Sequence, residues 1–417
     1  MKCYEIHGPC SLHGTVELSG AKNAALPIIV AAFAADEPVT LRGLPNNLKD
    51  VKALLEIFQA MGAKFHVDGS SLHIEDTVLT EWQLSSELAL RIRYSLLLLG
   101  LLLGRKGKVS IGIPGGCKLG DRKFDLHLEG LKKLGASITQ HEDRIEGHVD
   151  KLVGAEIELP IATTSGTENI MLAACFAKGH TSILNAHTRP EVEDLANFLN
   201  TLGAKITIHN RRIEIDGVKG FSGGDYTIMK AWDEAVTFIA AAGICGAEIR
   251  IKGFDLSTIP GDAFLLKNAG VELYEWGGDL YVKGPSSLKP IHLVTGPYPI
   301  VNSDMQPIFA ALASQAKGES TVTDQRFPER FGYVGEFRRM GMDIIQFGNC
   351  AVVNGGCQLH GAEVTALDLR CGASLVIAAL VAKGKTRINN IYQIERGYEN
   401  FDEKCQGLGI DIRSIAV

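Results

Sequence analysis

Ala53-Leu54-Leu55-Glu56-Ile57-Phe58-Gln59-Ala60-Met61-Gly62-Ala63 is the phrase on which the fold of this 417-residue chain turns. Leu54, Leu55, Phe58 and Met61 fall on one face at helical spacing, and Gly62 stands where a left-handed C-cap would end the helix before a short β-prone run. The phrase recurs, ending at Leu134-Gly135-Ala136, Leu202-Gly203-Ala204, Ala269-Gly270-Val271, Met340-Gly341-Met342 and Leu408-Gly409-Ile410. The glycine-to-glycine steps are 73, 68, 67, 71 and 68 residues, too even for coincidence and too long for a solenoid.

A second phrase accompanies the first. Nearly all-apolar helices, such as Asn169 to Cys175 and Ala373 to Leu380, precede a turn and an alternating β run. A helix that is apolar all round must be buried. Each unit of about 70 residues therefore reads as buried helix, strand, amphipathic helix and strands, and three units per half make two similar α/β domains. The expected bounds are 21–229 for one domain and 1–20 plus 230–417 for the other. Tyr4, Ile6, Val16 and Leu18 alternate with polar residues, so the N-terminal stretch is expected to supply strands that complete the last unit. Two domains joined by a pair of crossings invite hinge closure, with a cleft as the default ligand site.

Composition narrows the function. Hydrophobic residues make up 46% and charged residues 22%, as in a globular protein, and 14 Pro with 46 Gly lack any collagen-like period. A net charge of −6 gives no overall attraction to nucleic acid or an anionic membrane, so an anionic ligand must be met by locally clustered Arg and Lys. The longest apolar runs, Leu96 to Leu103 and Ala24 to Ala35, are too short to span a bilayer, and the N-terminus has no secretory pattern. Nine Cys without CxxC pairs or zinc-spaced His imply free thiols, with the cytoplasm as the expected compartment. No metal site is expected.

Several segments could carry chemistry. Ser19-Gly20-Ala21-Lys22-Asn23 opens the first buried helix, where backbone N–H groups, the helix dipole and Lys22 suit a phosphate; a solvated Lys beside an ordinary turn is the plainer reading. Pro114-Gly115-Gly116-Cys117-Lys118-Leu119-Gly120-Asp121-Arg122-Lys123 sets a thiol among three cations and three further glycines, and nearby cations lower a thiol pKa. Arg93, Asp304, Arg330, the pair Asp368 and Arg370, and Arg396 recur near the ends of units. Singly, each reads as a surface charge or ion-pair partner; together, converging cations would bind a small polyanion. His127 faces a helix and reads as structural.

These segments together resemble the enolpyruvyl transferase family, essentially end to end. The match is carried by Leu18 to Pro27, Pro114-Gly115-Gly116-Cys117, Asp125-Leu126-His127, Ser303-Asp304-Met305-Gln306, Asp368-Leu369-Arg370 and Arg396-Gly397-Tyr398-Glu399. The resemblance implies two inside-out α/β barrel-like domains of three βαβαββ units each, in agreement with the six repeats. It further implies transfer of the enolpyruvyl group of phosphoenolpyruvate to the 3-hydroxyl of a UDP-sugar, UDP-N-acetylglucosamine, at the start of peptidoglycan precursor synthesis, without a cofactor. On that basis Cys117 is the general acid and the thiol that an epoxide such as fosfomycin alkylates, and Asp304 is the base. Lys22, Arg122 and Arg396 hold phosphate and carboxylate, while Asn23, Arg93, Arg326, Arg330, Asp368 and Arg370 shape the same site. Lys123, Phe124, Asp125 and Leu126 face the uracil, and Thr163, Thr164 and Ser165 form the diphosphate turn.

The chain departs from the family pattern in three places. Lys123-Phe124 replaces Pro-Val, Thr163-Thr164-Ser165 replaces Ser-Val-Gly, and Lys230-Ala231-Trp232-Asp233-Glu234 replaces Pro-Asp-Arg-Ile-Glu. A relative acting on another nucleotide or nucleotide sugar, and a non-catalytic UDP-sugar-binding regulator, remain as alternatives. The related shikimate-pathway synthase lacks the Cys loop, and no motif matches the nucleotidylated His of RNA 3′-phosphate cyclases.

Overall fold

The computed structural model describes residues 2–115 and 124–416. The chain forms two compact units, Gly20–Met229 and Met1–Ser19 with Lys230–Val417. Each unit carries three four-stranded sheets among the described residues, all six with one topology. In the first sheet, Gly224–Thr227 runs parallel to Val39–Arg42, which pairs antiparallel with Ser71–Asp76, which pairs antiparallel with Lys64–Asp68. In three repeats the chain order is one strand, a buried helix, a second strand, an amphipathic helix and a hairpin, and in the other three one strand of the same sheet comes from elsewhere in the chain. The shared arrangement is the βαβαββ unit expected from the sequence.

The buried helices of the Gly20–Met229 unit are Lys22–Ala32, Leu97–Lys106 and Thr164–Ala174; those of the other unit are Trp232–Cys245, Gln306–Ala313 and Leu369–Ala379. Leu97–Lys106 packs on Lys22–Ala32 and on Thr164–Ala174, and the three helices of the other unit pack on one another. Ile28, Ile29, Leu98, Leu99, Ile308 and Leu375 are wholly buried, and each such side chain contributes about 1.5–3 kcal/mol of transfer free energy. The helices come close because small residues line them. At Gly100 a Cβ would lie 2.6 Å from both the carbonyl oxygen and Oδ1 of Asn169, so only glycine admits that approach.

The amphipathic helices end as the sequence predicts. Gly62, Gly135, Gly203, Gly270, Gly341 and Gly409 all hold φ between 85° and 104°, a region closed to most side chains. Sheets lay one face on the helices and turn the other to solvent, as the alternation in Lys205–His209 and Glu319–Thr323 records.

The N-terminal strands correct one expectation. Lys2–Gly8 does complete the last sheet, between Gly384–Asn389 and Ile412–Ala416. His13–Glu17 instead lies parallel to Glu248–Lys252 and completes the sheet of the fourth repeat. The reason is topological: Gly224–Thr227, the strand just before Trp232, pairs with Val39–Arg42 in the first repeat, so the fourth repeat takes its parallel edge from His13–Glu17, the strand just before Lys22. No helix among the described residues is long and apolar enough to cross a membrane.

Candidate active site

The starts of the buried helices gather the charged residues. Their first N–H groups have no intrahelical partner and carry the positive end of the helix dipole, so the sequence places acids, amides and hydroxyls there. In the Lys230–Val417 segment, Asp233, Asp304 and Asp368 stand at the starts of three such helices. Asp368 caps Leu369–Ala379, accepting from the backbone N of Arg370 at 2.8 Å and of Cys371 at 2.9 Å.

Two buried guanidinium groups bind these acids together. Arg330 donates from Nη1 to Asp304 Oδ1 at 2.5 Å and brings Nε to 3.7 Å from Asp368 Oδ2. Arg370 donates from Nη2 to Asp233 Oδ2 and brings Nε to 3.9 Å from Asp304 Oδ2. The Arg370 guanidinium lies 5.1 Å from the ring centre of Tyr398. Thr237 gives its hydroxyl hydrogen to the Asp233 carbonyl, so the Tyr398 hydroxyl, 2.7 Å away, is the donor to Thr237. Burial opposes the charge on Arg330, but Asp304 and Asp368 outweigh it and hold the group more firmly protonated. The side chains of Arg330 and Arg370 are 6% and 3% exposed, whereas that of Asp304 is 27% exposed, so the carboxylate is the reachable member of the cluster.

Asp324 scaffolds this arrangement. Wholly buried, it accepts from Ser303 Oγ at 2.9 Å, Gln306 Nε2 at 2.7 Å and Thr295 Oγ1 at 3.1 Å, and from the backbone N of Arg326 and Phe327. Gln306 also donates to the Arg330 carbonyl and accepts from the Tyr333 hydroxyl. The loops bearing Asp304 and Arg330 are thereby tied to one carboxylate.

In the Gly20–Met229 unit, Lys22 is the first residue of its helix and places Nζ 3.2 Å from Asp50 Oδ2. Asn23 follows, half-buried. Arg93 opens the turn Arg93–Leu96 ahead of Leu97–Lys106. Thr163 is the N-cap residue of Thr164–Ala174, and Thr164 and Ser165 lie in its first turn. Phe124 precedes Asp125–Lys133, with Asp125 exposed and Leu126 half-buried. His127 is not only a packing residue: it reaches Ser165 Oγ from Nε2 at 3.2 Å and Asn169 Nδ2 from Nδ1 at 3.1 Å. Burial, then the Arg93 guanidinium, lowers its pKa to about 3, so the ring is neutral.

The structure thus unites Asp304, Arg330, Asp368 and Arg370. Arg326 does not share their ion pairs among the described residues; its exposed guanidinium lies 5.9 Å from the Phe327 ring. Arg396 caps the short helix Tyr392–Glu395 and is half-buried. Cys117, Arg122 and Lys123 lie outside the described residues. Sequence reasoning flagged Asp233 only as part of a departure and missed Asp50, Asp324 and Tyr398 as partners. The repeat held a signal for Asp233, since it opens its helix as Asp304 and Asp368 open theirs.

Residues 6–405 match the family model described as EPSP synthase (3-phosphoshikimate 1-carboxyvinyltransferase). The UDP-N-acetylglucosamine 1-carboxyvinyltransferase of Idiomarina loihiensis is 40% identical over 100% of both chains, and that of Coxiella burnetii is 41% identical over 99% of this chain and 95% of its own. Among solved structures, the enolpyruvyl transferase NikO from Streptomyces tendae superposes with a TM-score of 0.89 at 26% identity, covering 100% of this chain and 99% of that one. An EPSP synthase from Acinetobacter baumannii, at 20% identity with a TM-score of 0.79 and 100% of both chains covered, shares the fold. With a repeat built six times over and full-length identity of this order, the chain belongs to the EPSP synthase family of enolpyruvyl transferases.

Proposed function

We propose that this chain transfers the enolpyruvyl group of phosphoenolpyruvate to the 3-hydroxyl of UDP-N-acetylglucosamine and releases phosphate, the first committed step of peptidoglycan precursor synthesis. The full-length relatives support this acceptor. The observation that carries the chemistry is Asp304, an accessible carboxylate held by two buried guanidinium groups.

Asp304 takes the proton of the sugar hydroxyl as its oxygen attacks C2 of phosphoenolpyruvate, and the Cys117 thiol gives a proton to the methylene C3. The tetrahedral adduct then loses phosphate from C2 and a proton from C3, which restores the carbon–carbon double bond. Lys22, Arg122 and Arg396 neutralise the phosphate and carboxylate, and Asn23 and Arg93 assist in binding. Arg330 and Arg370 keep Asp304 oriented, with Asp368 steadying Arg330. Arg326 contributes to binding. Lys123, Phe124, Asp125 and Leu126 take the uracil, and Thr163, Thr164 and Ser165 the diphosphate. The phosphorylated substrates support a cytoplasmic location.

Another nucleotide or nucleotide sugar is the second reading of the acceptor, favoured by the altered turn at Thr163-Thr164-Ser165, where Ser165 is engaged by His127. The test is phosphate release from phosphoenolpyruvate with UDP-N-acetylglucosamine, other UDP-sugars and uridine nucleotides. Turnover fastest with UDP-N-acetylglucosamine is expected. Turnover confined to another acceptor supports the second reading, and silence with all of them favours a UDP-sugar-binding regulator.

A further inference from the structure

A chain of buried groups in the Gly20–Met229 unit determines where one hydroxyl hydrogen points. Asn169 is wholly buried. Its Oδ1 accepts from the Gly100 N–H at 2.9 Å, a group that can only donate, and its Nδ2 donates to the Leu96 carbonyl at 3.1 Å, a group that can only accept. The amide therefore has a single orientation. Its second N–H faces His127 Nδ1, which must be bare, and a neutral imidazole then carries its proton on Nε2. That proton goes to Ser165 Oγ. Ser165 thus accepts from His127, and its own hydrogen bonds to no other described residue.

The surroundings of Ser165 favour an anion. It lies half-buried in the first turn of Thr164–Ala174, beside backbone N–H groups that bond to no other described residue, and with no acidic residue in that turn. An unconstrained serine can donate or accept; one whose lone pair is already engaged by a fixed N–H is biased to donate.

We propose that Asn169 and His127 form a fixed proton-orienting chain that makes Ser165 a dedicated hydrogen-bond donor to the diphosphate of the acceptor, and so a positioning and specificity residue for it. The identity of the anion rests on the functional reading above; the direction of the chain does not. It also gives Ser165, one of the residues by which this chain departs from the related turn, a stated role.

Two measurements on the full chain test this. In nitrogen-15 histidine spectra, with His127 assigned from the spectrum of His127→Asn, the ring is expected as the neutral Nε2–H tautomer at pH 7. The Nδ1–H tautomer or an imidazolium overturns the proposal. In steady-state assays Ser165→Ala is expected to raise KM for UDP-N-acetylglucosamine about tenfold, the loss of one hydrogen bond to a charged group, with far smaller changes in kcat and in KM for phosphoenolpyruvate. Ser165→Thr, which keeps the hydroxyl, is expected to bring KM back down. Equal changes in all three constants, or no recovery in Ser165→Thr, overturn the positioning role. A wild-type enzyme inactive with UDP-N-acetylglucosamine sinks the functional reading and the diphosphate assignment with it, while the tautomer still decides the proton-orienting chain.

Discussion

Removing the Asp233 carboxylate is expected to cost more than any other single change in the Asp304 cluster. Arg370 is 3% exposed, and Asp233 is its hydrogen-bonded acid; the next carboxylate, Asp304, is 3.9 Å from Nε. Neither Nε nor Nη1 of Arg370 has a hydrogen-bond partner among the described residues. In Asp233→Ala the guanidinium keeps its charge, because an Arg does not deprotonate in a protein, and loses its close counter-ion. Stranding one member of a buried pair costs about 3–5 kcal/mol, which for a unit of this size corresponds to roughly 6–20 °C in Tm. Replacing both partners, as Asp233→Leu with Arg370→Met, is expected to recover most of that loss, since a buried pair exchanged for apolar groups is often close to neutral. The assay is urea unfolding of the wild type, Asp233→Leu, Arg370→Met and the double variant, read as a double-mutant cycle, with Asp233→Ala measured alongside. The stable double variant is nonetheless expected to lose turnover, because Arg370 no longer steadies Asp304. A loss below about 1 kcal/mol in Asp233→Ala, or costs in the double variant that simply add, would refute the reasoning.

Other expectations follow from the same geometry. Asp304→Asn is expected to lower kcat by roughly 10²–10⁴, the usual worth of a positioned base, while phosphoenolpyruvate still protects the protein in a thermal shift; unchanged kcat removes Asp304 from the proton transfer. Cys117→Ser is expected to reduce turnover strongly and to abolish alkylation by fosfomycin, as read by intact mass, and labelling of another residue would reassign the thiol. Glu168 is wholly buried with neither carboxyl oxygen hydrogen-bonded among the described residues, and burial, then the Glu191 carboxylate, raises its pKa well above the usual range. Above the unfolded pKa of about 4.3 the folded state retains a proton that the unfolded state releases, so this group makes stability fall as pH rises, by up to about 1.4 kcal/mol per unit until the raised pKa is passed. Glu168→Gln should flatten that slope and gain on the wild type by up to about 2.7 kcal/mol between pH 5 and 7; parallel curves in denaturant titrations at the two pH values count against a protonated Glu168.

The six repeats were legible because their signals are local. A glycine forced to positive φ ends each amphipathic helix, as at Gly62 and Gly409, and an all-apolar run such as Asn169 to Cys175 has nowhere to go but inside. Asp304, Arg330, Asp368 and Arg370 were legible as candidates because charged residues recur at equivalent places in a repeat. Their pairing was not. Arg370 meets Asp233 across 137 residues of chain, and nothing in either neighbourhood names the other. His13–Glu17 shows the same limit: its alternation marks it as a strand, but its partner, Glu248–Lys252, is chosen by the sheet that lacks a parallel edge.

The amino-acid order alone thus determined the elements, their six-unit repetition and the inventory of charged and nucleophilic side chains, since turn chemistry and burial periodicity act over a few residues. The tertiary structure decided which acid neutralises which guanidinium, which proton His127 holds and what Asp324 anchors. Those outcomes depend on distances of 3–4 Å between groups far apart in the chain, and only the packed helices set such distances.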